Sequence, residues 1–143
     1  MMLRRLLILL LALSMAPTLG AAELVVAVRS DSEIGTLSKK EVVDIFLGRF
    51  RQLPGGQQAE PLDQATQSPE RQAFYSALIN KTSAEINAYW ARLLFSGRVT
   101  PPRVMNTPEK MLEELINNPR AIGYVDKARL DRRLRVVFDI STP

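Results

Sequence analysis

The chain has 143 residues, with 19 Lys and Arg against 15 Asp and Glu, a formal net charge of +4, and neither Cys nor His. The lack of Cys excludes disulfides and thiol chemistry, and the lack of His removes the commonest metal ligand and general base. No spacing singles out a carboxylate pair or a Ser–Lys pair, so the composition points away from an enzyme.

In chain order, Met1-Met2-Leu3-Arg4-Arg5 leads into an apolar run over 6–15 and then into the small residues Gly20, Ala21 and Ala22. A basic start, a short apolar run and a small-residue exit predict a secretory signal peptide over 1–22, cleaved near Ala22. The run is too short for a comfortable membrane span. One domain, 23–143, follows, long enough for a core. Removing Arg4 and Arg5 leaves 17 basic against 15 acidic residues, and the arginines are scattered, so nucleic acid is not an expected partner.

Leu24-Val25-Val26-Ala27-Val28 reads as a buried strand. Ser38 with Glu41 forms a capping box, predicting a helix over 39–47 that buries Val42, Val43 and Phe46 and ends at Gly48. Residues 59–63 read as a weak strand, which Pro61 lowers to a sheet edge or a short piece. A helix follows over 69–79. Thr82 with Glu85 opens another, with Ile86, Tyr89, Trp90, Leu93 and Leu94 on its buried face and Gly97 as cap. A short strand at 103–105 precedes a helix capped by Asn106 or Thr107, with Met111, Leu112, Leu115 and Ile116 facing inward. Residues 121–125 and 134–140 complete the strands, separated by a turn or short helix over 126–131. Strands alternating with helices predict an α/β domain.

The stretch from Pro61 to Tyr75 carries the functional reading. Ser68 is a good N-cap, and Pro69 fits the first helical position. A helix N-terminus opening just past a strand end offers free N–H groups and the positive dipole end to an anion. An ordinary capped helix is the alternative. Ser38, at another helix start, is open to the same two readings. Tyr124 either borders a cleft or packs in the core. Arg129, Arg132, Arg133 and Arg135 form a basic cluster that faces solvent, anionic lipid or an acidic partner.

Three stretches carry a resemblance. Leu37-Ser38-Lys39-Lys40-Glu41-Val42-Val43-Asp44-Ile45-Phe46-Leu47-Gly48-Arg49 resembles the "LS…IF-G-(K/R)" segment of phosphate-specific substrate-binding proteins of ABC importers. Asn118-Pro119-Arg120-Ala121-Ile122-Gly123-Tyr124-Val125 is similar to their "NPGAIGYV" segment, and 64–74 lies where they carry an Arg-x-Asp-Gly-Ser-Gly-Thr loop before a helix. The family folds as two lobes closing on phosphate. The resemblance therefore implies a single periplasmic-binding-protein type II-like lobe, a mixed, mostly parallel sheet flanked by helices, in an exported, periplasmic protein. Aligned on Ser68, Gln64 takes the place of the family's ligand-binding Arg, Thr66 of its Asp, Pro69 of its Gly and Glu70 of its Thr. Gln64 and Thr66 donate only neutral hydrogen bonds, and Arg71 is the candidate replacement cation.

The expectation is a domain without enzymatic activity, cofactor or metal. It binds a small anion such as phosphate through Ser68, Gln64, Thr66, Arg71 and Ser38. It serves ABC-type uptake or sensing, and a membrane permease, a sensor or a second copy completes the wet side of the site. The alternative is a ligand-free interaction module that docks on an envelope or sensor protein.

Overall fold

The computed structural model describes residues 22–53, 55–97 and 99–141. The leader expected over 1–22 falls almost wholly outside them. Strand β1 (Leu24–Arg29) is followed by α1 (Lys39–Phe46), β2 (Glu60–Gln64), α2 (Pro69–Ile79), α3 (Ser83–Ser96), β3 (Arg103–Met105), α4 (Pro108–Asn117), β4 (Ala121–Asp126), a 3-10 turn (Lys127–Arg129) and β5 (Leu134–Asp139).

The helix starts follow from their caps. Ser38 and Thr82 accept from the backbone N–H three residues on, and Glu41 and Glu85 return the bond, which completes two capping boxes. Ser68 and Thr107 cap α2 and α4, each followed by Pro at the first position. Asn80 and Gly97 end α2 and α3 with positive φ. Gly48, also at positive φ, ends the first helical segment against a wall. A Cβ there would lie 2.8 Å from Val99 Cγ1 and 2.9 Å from Trp90 Cη2.

The strands form one sheet in the order β3-β2-β4-β1-β5. β2 runs parallel to β3 and β4, and β1 runs antiparallel to β4 and β5. Of the two readings that Pro61 suggested, the short strand holds, with five residues, and the sheet edge does not. β2 lies inside the sheet, but β3 pairs with it only from Leu62 onward, so the side of Pro61 without a donor meets no partner strand. Five consecutive buried residues in β1 and in β4 reflect cover on both faces. One face carries Val26, Val28, Phe46, Phe74, Tyr75, Ile122 and Tyr124 in its core, packed with α1, α2 and α3. The other carries Val25, Ala27, Leu62, Met111, Leu115 and Val125, covered by α4.

Leu94 departs from the expected stripe on α3. Ile86 and Trp90 are buried and Tyr89 and Leu93 half-buried, but Leu94 is 56% exposed and Phe95 beside it 95% exposed. The last turn of α3 runs past the edge of the core.

Candidate functional site

β2 delivers Asp63 and Gln64 to its C-terminal end, and residues 65–68 turn directly into α2. Asp63 is the centre of what lies there. Its carboxylate is 3% exposed, and Arg71, one turn into α2, is 4% exposed. Arg71 Nε donates to Asp63 Oδ2 at 3.2 Å, and Tyr75 Oη donates to the same oxygen at 2.9 Å. Tyr124 Oη and the Gln64 backbone N–H donate to the other oxygen. A buried carboxylate with a cation and three further donors is fully satisfied. Burial, and then the negative charge of Asp63, push both phenols above their ordinary range, so Tyr75 and Tyr124 stay protonated donors.

The rest of the Arg71 guanidinium is also committed. Nη1 donates to the Ser83 carbonyl at 3.3 Å, and Nη2 to Asn87 Oδ1 at 3.0 Å. The guanidinium carbon stands 5.4 Å from the Tyr75 ring centre. Asn87 in turn donates from Nδ2 to Thr66 Oγ1 at 3.3 Å. A chain of polar contacts thus runs from buried Asp63 through Arg71 and Asn87 to the exposed loop.

Four of the five residues expected to hold an anion meet in this network. Gln64 is 6% exposed, and its carboxamide donates to the Tyr124 carbonyl at 3.2 Å and accepts from Ser68 Oγ at 2.7 Å. Ser68 Oγ also lies 3.0 Å from Glu70 Oε2 and accepts the Arg71 backbone N–H at 3.3 Å. Thr66 is exposed on the turn. Arg71 reaches inward to Asp63 rather than out to the surface. Ser38 is not brought to this place: it caps α1, bonding Glu41, and none of its described hydrogen bonds reaches the β2–α2 turn. Tyr124 packs in the core, its ring stacked on Phe74 with centroids 3.9 Å apart.

Gln64 and Glu70 also border a small hollow with Met111, Val125, Asp126 and Arg129, at the ends of β2 and β4. Its volume is about 10 Å³. That is close to the least a single water needs, about 10–15 Å³. An anion at this end would sit on the surface, over the turn. Among the described residues no cluster of three Asp or Glu side chains comes together as a metal seat.

Asp63 and Asn87 were missed in the sequence. A carboxylate inside a strand eight residues before an arginine on the next helix is a readable sign of a buried pair. Nothing in the local pattern around Asn87 marks it. The basic cluster near the C-terminus is divided among separate partners: Arg129 pairs with Glu109, Arg133 with Asp131, and Arg135 bonds the carbonyls of Ser32 and Ile34. The Arg133 guanidinium holds the Asp131 carboxyl down to about 2.

The fold recurs in solved structures. An ABC-type phosphate transport receptor from Vibrio cholerae matches 81% of this chain with a TM-score of 0.63 at 15% identity. A protein assigned as a phosphate ABC transporter substrate-binding protein from Clostridium perfringens, solved with bound phosphate, matches 81% with a TM-score of 0.65 at 17% identity. PstS from Borrelia burgdorferi matches 85% with a TM-score of 0.61 at 16% identity. The chain has the fold of a single lobe of a phosphate-type substrate-binding protein. It spans less than half of each of these structures, 45%, 44% and 49% of their lengths. In sequence, no family model and no curated protein matches the chain. The strand, turn and capped helix expected from the sequence over 59–79 are present, and a buried ion pair lies directly beneath the turn.

Proposed function

We propose that this lobe is an exported, non-enzymatic binding domain that takes a small oxyanion such as phosphate at the start of α2, as one half of a site. The observation that carries the reading is the placement of a capped helix N-terminus at the C-terminal end of β2, in a fold shared with proteins described as phosphate receptors. Thr66 supplies a hydroxyl donor, while Ser68 gives its one hydroxyl proton to Gln64 and shapes the helix start as its cap. Arg71 acts from beneath: it fixes Thr66 through Asn87 and does not touch the anion. Neutral donors on an open surface make the half-site weak, so uptake or sensing requires a second body, a permease, a sensor or another copy, to close it. The leader-like first residues and the likeness to a phosphate transport receptor favour the periplasm.

Calorimetric titration of residues 23–143 with phosphate, with sulfate as control, tests this. Saturable binding that prefers phosphate and weakens in Ser68→Ala supports it. No heat up to millimolar phosphate rejects it.

One pair of observations favours a second reading. The cation the site would need is spent on Asp63, and the Glu70 carboxylate already occupies Ser68. On that reading the lobe has given up its anion and serves as an interaction module.

A further inference from the structure

A larger hollow lies away from the α2 start. It is a groove of about 600 Å³ between α1, the end of α2 and the outer side of α3. Its floor is apolar: Val43, Leu47, Ile79, Ile86 and Tyr89. Ala88 and Ala91, both exposed, leave the α3 wall low. A cavity of about 150 Å³ holds a benzene, so this groove has room for about three or four apolar side chains.

Three cations rim it: Arg49, Lys81 and Arg92. Among the described residues neither Lys81 nor Arg92 has an ion-pair partner, and Arg49 meets only Asp44, at 3.7 Å. The one rim carboxylate, Glu85, accepts the Thr82 N–H at 2.8 Å through Oε2 and keeps its charge, so the rim carries three cations against one carboxylate and is net positive. The groove is thus apolar below and positive around its edge. A second copy laid face to face would bring like charges together. A membrane offers a flat surface to a concave one.

We propose that this groove is a docking site for an amphipathic helix of another protein, with apolar anchors at i, i+3, i+4 and i+7 and acidic residues on its flanks. Helix-in-groove recognition uses this combination, with burial giving affinity and rim charge giving orientation and sign preference. The inference does not depend on anion binding at Ser68.

The test selects from a displayed library of amphipathic peptides of about 18 residues, five helical turns, with randomised flanks. Enrichment of acidic over basic flanks on the wild-type chain is expected. The selected peptides should bind Lys81→Glu/Arg92→Glu about tenfold more weakly, the scale of two exposed ion pairs. Ala91→Arg adds a cation but fills the groove, and it should abolish binding. Circular dichroism verifies that these surface variants fold. The proposal is overturned by flanks without sign preference, by no enrichment at all, or by peptides that bind Ala91→Arg as tightly as wild type. It is equally overturned if phosphatidylglycerol vesicles alone bind in an Ala91-dependent way, which would assign the face to a membrane. A dimer that Ala91→Arg dissociates would assign it to self-association.

Discussion

Asp63 and Arg71 face each other from β2 and α2 with an Oδ2–Nε distance of 3.2 Å, and both side chains are about nineteen-twentieths shielded from water. Removing either one leaves an uncompensated buried charge. Asp63→Asn and Arg71→Met are each expected to destabilise the fold by about 3–5 kcal/mol. The double variant should lose less than the sum, because neither charge is then left alone. Urea unfolding of the four proteins gives the coupling directly. Additive losses would show that the pair is not the unit described here.

The Glu70 carboxylate sits 3.0 Å from Ser68 Oγ, at the positive end of α2. It competes with any anion offered to the same place. Glu70→Gln is therefore expected to strengthen phosphate binding about fivefold, or about 1 kcal/mol, in the titration described above. An unchanged affinity would place the anion elsewhere.

Ser38 serves a different helix. Ser38→Ala should lower stability by about 1 kcal/mol through loss of the capping box and leave phosphate binding as it is. A change in phosphate affinity would return Ser38 to the anion site.

The two buried phenols make an alkaline prediction. Tyr75 and Tyr124 have folded-state values raised above the ordinary 10.0, by burial first and by Asp63 second. The unfolded chain therefore releases these protons first. Their contribution is intact below pH 10 and lost as pH rises above it. Each phenol should cost about 1.4 kcal/mol per pH unit in that range. Denaturant midpoints between pH 8 and 11.5 measure the slope, and Tyr124→Phe should reduce it. A flat profile above pH 10 would contradict the buried network.

Gly48 combines a φ of +69° with contact on two sides. Gly48→Ala places a methyl against Val99 and the Trp90 ring in a backbone conformation that alanine disfavours, and should cost about 1–3 kcal/mol. Chemical unfolding, paired with Val99→Ala to relieve part of the clash, separates crowding from backbone strain.

Most of the element order was legible because local chemistry agrees with the fold. Ser38, Ser68, Thr82 and Thr107 cap where caps were expected, and Asn80 and Gly97 stop their helices. Pro61 left a sheet edge and a short strand open, because the penalty for a missing N–H depends on whether a neighbour strand stands opposite, and only the sheet order decides that. Leu94 misled because helical spacing continues after the core beneath it has ended. At the candidate site, the identity of the helix start could be read, but the direction of Arg71 could not. That direction depends on Asp63 lying inside the sheet and on Tyr124 arriving from 61 residues downstream. The groove over Ala88 and Ala91 depends on three helices at once and leaves no mark in any single segment.

The position of β1 has a consequence for how the chain reaches its folded state. Its neighbours in the sheet, β4 and β5, follow all the other described strands in the chain. Until they emerge, five consecutive apolar residues at the start of the domain have no strand to pair with, and loops of roughly a hundred residues must close before they do. Such long-range pairing makes folding slow and late. A nascent chain of this topology keeps β1 unpaired through most of the synthesis of the sheet, so the apolar start of the sheet is buried only in a late step.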